Sequence, residues 1–139
     1  MLRFASIAAF LALTATSVAA QTAIPDLRGT WKGNSESVIL GGGNPHHSAG
    51  KPDAPEFRSL PFTMEVENQD GRRFYGTFSS PRSSERIIGV VSRDGTLYVA
   101  DDEGYTHGTV LAADRIELCY LFVTKEARVA SCTEMTKEK

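Results

Sequence analysis

Ile116-Glu117-Leu118-Cys119-Tyr120-Leu121-Phe122-Val123-Thr124-Lys125-Glu126-Ala127-Arg128-Val129-Ala130-Ser131-Cys132-Thr133-Glu134-Met135 reads as two β-strands, residues 116–123 and 128–135, joined by a tight turn. With Lys125-Glu126 at the turn centre, residues equally distant from it stand opposite one another. Cys119 lies six positions before Lys125 and Cys132 six positions after Glu126, so the two cysteines are predicted to face each other directly. Counting outward from the pair 124:127 makes 119:132 a non-hydrogen-bonded pair, whose Cα atoms approach to about 4.5 Å, within the span a disulfide bridges. Two buried free thiols are the alternative. A bridge would enclose a short loop, contribute about 3 kcal/mol or less and lock the register. A redox role is not expected, since no Cys-x-x-Cys pattern or neighbouring cation lowers a thiol pKa.

The same alternation runs backwards along the chain. Phe62, Met64 and Val66 alternate with Thr63, Glu65 and Glu67, a half-buried strand, and Asn68-Gln69-Asp70-Gly71 closes it with a turn in which Asp-Gly is the strongest signal. Phe74 to Phe78 returns, ended by Ser79-Ser80-Pro81 because proline cannot continue an interior ladder. Residues 86–91, 96–100 and 105–111 follow, punctuated by Arg93-Asp94-Gly95, Asp101-Asp102-Glu103-Gly104 and Ala112-Ala113-Asp114. With the final hairpin these make seven strands at the spacing of about 8–12 residues typical of sandwiches and barrels. Gly29-Thr30-Trp31-Lys32-Gly33 is the eighth, extended through Ser37 to Leu40. Glycine followed two places later by an apolar residue recurs, as in Gly76/Phe78 and Gly89/Val91. Such glycines permit the coiling and close backbone approach that a closing sheet needs, which puts Trp31 inside and Thr30, Thr77, His107 and Thr109 outside. The expected fold is all-β, an eight-stranded antiparallel up-and-down barrel, with a partly open β-sandwich as the alternative. Residues 41–60, rich in Gly, Pro and His, lack periodicity and are expected to form a long flexible loop.

Ahead of this domain stand Arg3, an apolar run from Phe4 to Leu13, and Ser17-Val18-Ala19-Ala20. A positive start, an apolar core and small residues at −3 and −1 make residues 1–20 a secretory signal peptide, too short in its apolar part to span a bilayer. Residues 21–139 are then one domain, periplasmic or secreted, where a bridge between Cys119 and Cys132 is expected. Without Arg3 the 15 basic side chains fall to 14 against 17 acidic ones, a formal charge of −3. Beyond Arg72-Arg73 the chain has no basic run, so no nucleic-acid partner is expected.

The strand plan and the stretch Asp26-Leu27-Arg28-Gly29-Thr30-Trp31 resemble the calycin-type meander barrels, and that stretch looks most like the first strand of avidin and streptavidin. The resemblance implies polar ligand contacts at Asn34, Ser35 and Ser37, on and after the first strand. Biotin binders of that family surround their ligand with several tryptophans, whereas Trp31 is the single one here, so biotin is not carried over. Lipocalins, the sister family, stack a basic residue from the end of the last strand on the tryptophan. Arg128 begins that strand here, which leaves Lys137.

Catalytic and metal motifs are sparse. His46-His47 could join His107 or Asp101-Asp102-Glu103 around a metal, but adjacent loop histidines seldom both ligate one ion, and no metal or other cofactor is expected. No Gly-x-Ser-x-Gly elbow is present, the acidic turn lacks calcium-loop spacing, and Gly41-Gly42-Gly43-Asn44-Pro45 lacks the ending of a phosphate loop. The function expected is therefore an exported non-enzymatic binding module holding a small, largely apolar ligand at the barrel mouth through Trp31, Asn34, Ser35 and Ser37. It requires a cavity of roughly a few hundred Å3. The alternative is a protein-interaction module, an exported inhibitor or envelope assembly factor, possessing a full lumen and an outer aromatic patch near Tyr120 and Phe122. Oligomers are compatible with either. An enzyme would instead require His107 to face a carboxylate in a cleft.

Overall fold

A computed structural model describes residues 23–47 and 50–139. The expected signal peptide, residues 1–20, lies outside the described residues. Nine strands are formed: β1 (Gly29–Gly41), β2 (Glu56–Arg58), β3 (Pro61–Asp70), β4 (Arg73–Ser79), β5 (Ser84–Val91), β6 (Leu97–Ala100), β7 (Tyr105–Ala112), β8 (Arg115–Val123) and β9 (Ala127–Lys137). From β3 to β9 each strand pairs antiparallel with the next, and β1 pairs with both β3 and β9. That last pairing closes an eight-stranded barrel and removes its free edges, so the open-sandwich alternative does not apply.

β2 is the extra strand, arising inside the segment expected as a loop. β1 runs for 13 residues, longer than β3 can cover on that edge. Its first half, Gly29 to Asn34, pairs with Val66 to Pro61, and its second half, Ser37 to Ile39, pairs with Arg58 to Glu56. At the junction Ser35 N donates to Leu60 O (2.8 Å) and Leu60 N donates to Ser35 Oγ (3.2 Å).

The last hairpin has the register its turn dictates. Cys119 stands opposite Cys132, their Cα atoms 4.1 Å apart and their sulfurs bonded, while Thr124 N donates to Ala127 O (2.8 Å). The bridge lies on the outer wall, because Leu118 and Thr133, next to the cysteines, are the buried neighbours.

One end of the barrel is sealed by the chain that enters it. Leu27 is fully buried and Trp31 is 1% exposed. The indole N–H of Trp31 donates to Leu27 O (2.7 Å), and Leu27 N donates to Gln69 Oε1 (2.7 Å). Lys137 Nζ lies 5.4 Å from the Trp31 ring centroid and donates to Asp26 O (2.9 Å), so the basic residue implied by the lipocalin resemblance does cover the tryptophan. Above this plug Met64, Val66, Phe74, Ile87, Val91, Leu97, Ile116, Leu118 and Met135 pack into one core. The inward glycines make room for it. A Cβ at Gly76 would fall 1.8 Å from Glu65 O, and one at Gly89 would fall 2.2 Å from Phe74 Cζ.

Two stability outcomes follow from this packing. Trp31→Ala leaves a cavity at the sealed end and an unpaired Leu27 carbonyl, and is expected to cost about 3–5 kcal/mol in urea unfolding. Gly89→Ala overpacks Phe74 and is expected to cost about 1–3 kcal/mol, part of it recovered by Phe74→Leu. A loss under half a kcal/mol in Gly89→Ala would contradict the packing described.

Candidate functional site

Inside the other half of the barrel the strands stop filling the lumen. Period-2 alternation from Trp31 carries Gly33, Ser35, Ser37 and Ile39 inward, and Ser35 is fully buried and Ser37 4% exposed. Across the β1–β9 seam Ser131 and Thr133 also point in, at 8% and 4%. Ser37 Oγ donates to Ser131 Oγ (2.8 Å) and lies 3.2 Å from Ser35 Oγ. These four side chains are small, and on the strands next to β1 Phe62, which pairs with Gly33, stacks on Phe78 at 4.9 Å with a 21° interplanar angle. The space between is lined further by Thr106, Leu118 and Tyr120.

That space is occupied by Asn44, His46 and His47, which are buried at 6%, 7% and 3% exposure. The segment expected as a mobile connection thus delivers three polar side chains to the interior. Asn44 Oδ1 accepts from the backbone N–H groups of both His46 (3.1 Å) and His47 (3.1 Å), which bends the segment into a compact tip. Asn44 Nδ2 donates to the Tyr120 hydroxyl (3.3 Å). The His46 ring sits edge-on to Phe62 and Phe78, with centroids 5.4 and 6.0 Å away, and His47 approaches Phe62 at 6.2 Å. The volume left is about 30 Å3, room for about one water.

The hydrogen bonds around His46 assign its tautomer. Ser80 Oγ accepts from the N–H groups of Arg82 (3.2 Å) and Ser83 (3.3 Å), so its hydroxyl proton is directed to His46 Nδ1 at 2.9 Å. Nε2, which carries the proton in that neutral tautomer, lies 3.2 Å from Glu85 Oε1. Ser80, His46 and Glu85 form a line resembling a catalytic relay. Ser80 is nevertheless engaged by its own turn, and the line anchors the ring without presenting a nucleophile. His47 Nδ1 is buried and has no partner among the described residues.

Four carboxylates, Glu85, Asp101, Asp102 and Glu103, gather on the His46 side of this end, and the Arg58 cation lies on the His47 side. Burial, then Asp101 and Asp102, push the Glu85 carboxyl above its ordinary pKa. Burial, Glu85 and Asp101 do the same to Glu103. Burial together with Asp101 and Glu103 holds the Tyr120 phenol well above its usual value. Burial lowers the pKa of His46 against the pull of Asp101 and Glu103. His47 is lowered by burial and by its neighbours His46 and Arg58.

The expected site residues divide accordingly. Ser35 and Ser37 are buried on the inner face of β1, next to Ser131 of the chamber wall. Trp31 does not, since it belongs to the sealed end, and Asn34 is exposed on the outer wall. Tyr120 and Phe122 are corrected from an outer patch to the interior side of β8. Tyr120 lines the chamber, and its ring and that of Phe122 lie 6.3 Å apart, whereas Leu121 and Val123 are the exposed side chains at 61% and 75%. An outer apolar groove of about 520 Å3 does exist, lined by Tyr75, Ile88, Val90 and Tyr98 on β4 to β6. His107 is on the outer wall against the Tyr98 and Tyr105 rings, at 5.1 and 5.6 Å. Among the described residues no cluster of three or more His, Cys, Asp or Glu is arranged to hold a metal, and no helix is long and apolar enough to cross a membrane.

No protein-family model matches the chain, and no curated protein matches it. Among solved structures, the S-type phycobiliprotein lyase CPES from Guillardia theta is similar at 12% identity, with 81% of this chain and 89% of that chain covered and a TM-score of 0.38.

The histidine tip is expected to loosen in acid. A lowered pKa in the buried state means that the withdrawn loop binds more protons, so closure is complete above the ordinary histidine pKa of about 6.5 and is lost as pH falls below it. The raised Glu85 and Glu103 carboxyls act with the opposite sign, their cost to closure falling away as they protonate in acid. Hydrogen exchange of the His46 and His47 amides, corrected for intrinsic rates, should accelerate several-fold between about pH 7.5 and about pH 5.5. A His46→Gln/His47→Gln variant should show no such change. Equal protection of the wild-type amides at both pH values would contradict the assignment.

Proposed function

We propose that this chain is an exported, non-enzymatic binding module that receives a small, largely apolar molecule in the chamber now filled by His46 and His47. The observation that carries this reading is the contrast between the two halves of one lumen. The sealed half is packed mainly by large side chains borne on the strands, with Leu27 of the entering chain closing its end. The other half has strand positions of minimal volume, Ser35, Ser37, Ser131 and Thr133, and borrows its filling from a loop. A barrel built only for stability would fill both halves from the wall, as it does around Met64 and Ile116. Withdrawal of the two imidazoles and Asn44 would free on the order of 300 Å3, the lower end for small-ligand pockets. Phe62, Phe78 and Leu118 supply apolar contact there, and the hydroxyl wall supplies orientation. The Cys119–Cys132 bridge is compatible with the oxidising compartment that export implies.

The runner-up, a protein-interaction module, is favoured by the outer groove at Tyr75, Ile88, Val90 and Tyr98, where Ile88 is 67% exposed. It differs in which substitution abolishes binding, Ile88→Lys on the wall or Ser131→Leu in the chamber.

Native mass spectrometry after incubation with a mixture of small aromatic compounds of both charge signs tests the proposal. The wild-type chain should retain a one-to-one adduct that Ser131→Leu, folded by circular dichroism, loses at least tenfold. Adducts indifferent to Ser131→Leu, or none at all, would overturn it.

A further inference from the structure

We propose that the ligand of this chamber is a small organic cation, an aromatic or alkyl amine protonated at neutral pH, for which His46 is the built-in stand-in. The inference rests on the binding-module reading and adds the ligand's charge and chemical class.

The contacts of His46 describe what the site accepts. A flat ring is held edge-on by Phe62 and Phe78 at 5.4 and 6.0 Å, and its Nε2 lies 3.2 Å from Glu85 Oε1. Glu85 is nearly buried, its side chain 10% exposed, and a carboxylate there is costly unless paired. Its ion-pair partner among the described residues is His46, which burial holds below the ordinary histidine pKa, so the carboxylate has a neutral neighbour and no opposite charge. Asp101, Asp102 and Glu103 stand around the same opening and add to the negative potential that Glu85 and Glu103 experience. An ammonium in place of the imidazole would give Glu85 a charge-assisted hydrogen bond, roughly twice as strong as a neutral one, beside the aromatic pair Phe62 and Phe78. The unpartnered His47 Nδ1 is the second sign of an unfinished site. A buried ring nitrogen left unmatched makes the closed form costly, and withdrawal of the loop relieves that cost. An anionic ligand would meet four carboxylates at the entrance, and a neutral one would leave Glu85 as it is.

A matched trio tests this on the full disulfide-bonded chain by calorimetric titration at neutral pH: phenethylamine, phenethyl alcohol and 3-phenylpropionate. The amine should bind at least about tenfold tighter than the alcohol, in keeping with a charge-assisted bond, and the propionate should give no heat of binding. Glu85→Gln should bring the amine down to the alcohol's affinity. His46→Ala/His47→Ala, which removes the internal competitor, should tighten amine binding several-fold. Equal binding of all three compounds, each blocked by Ser131→Leu, would overturn the cation inference while leaving a binding module. Amine binding unaffected by Glu85→Gln would overturn it too. Binding of none of the three, even in the double alanine variant, would overturn the binding-module reading with it.

Discussion

The seam between β1 and β9 governs the rest of the molecule. β1 pairs along Trp31 to Gly41 with Lys137 to Ala127, and this ladder turns a meander into a closed wall with a fixed inside and outside. Once closed, every second residue of every strand owes its side chain to a space of set width. Large inward residues fill that space and small ones leave a vacancy that something else must fill. The sealed half and the loop-filled half differ first in this respect. Trp31, Met64, Phe74, Ile116 and Met135 reach across the lumen, and Ser35, Ser37, Ser131 and Thr133 do not.

The consequence for energetics is a division of labour along one axis. Trp31, Leu27, Gln69 and Lys137 tie the entering chain, the β3–β4 turn and the last strand together at the sealed end. The far end is held by polar contacts to a loop, each worth little in net terms and reversible without disturbing the core. Local opening is cheapest where buried apolar contacts are fewest, which is where Asn44, His46 and His47 enter. The carboxylates Glu85, Asp101, Asp102 and Glu103 on the His46 side would then give the opening its proposed preference for a cation.

Much of the fold was legible because a barrel's strands carry a simple period. Turn residues marked each reversal, and the symmetric placement of Cys119 and Cys132 about Lys125-Glu126 determined the last register. The same period held more than was taken from it. Alternation from Trp31 puts Asn34 outside; its inclusion as a ligand contact came from the family resemblance. Glu117 shares a face with Cys119 and Leu121, and a charged residue in mid-strand marks that face as outer, which leaves Tyr120 and Phe122 inside. The buried histidines were another matter. A loop with no repeat offers no sign of which residues turn inward, and the requirement came from elsewhere: four small hydroxyl residues at facing inward positions imply a void, and a void in a closed barrel implies an occupant. β2 was missed because three residues are too few to show a period.

The account stands on His46 and His47 being the removable contents of the chamber. Nuclear Overhauser contacts between their ring protons and those of Phe62 and Phe78 report this directly. The account predicts such contacts in the free chain and their replacement by contacts from the bound molecule at saturation. Histidine rings free of Phe62 and Phe78 before any ligand is added, or still against them when the chain is saturated, would contradict it.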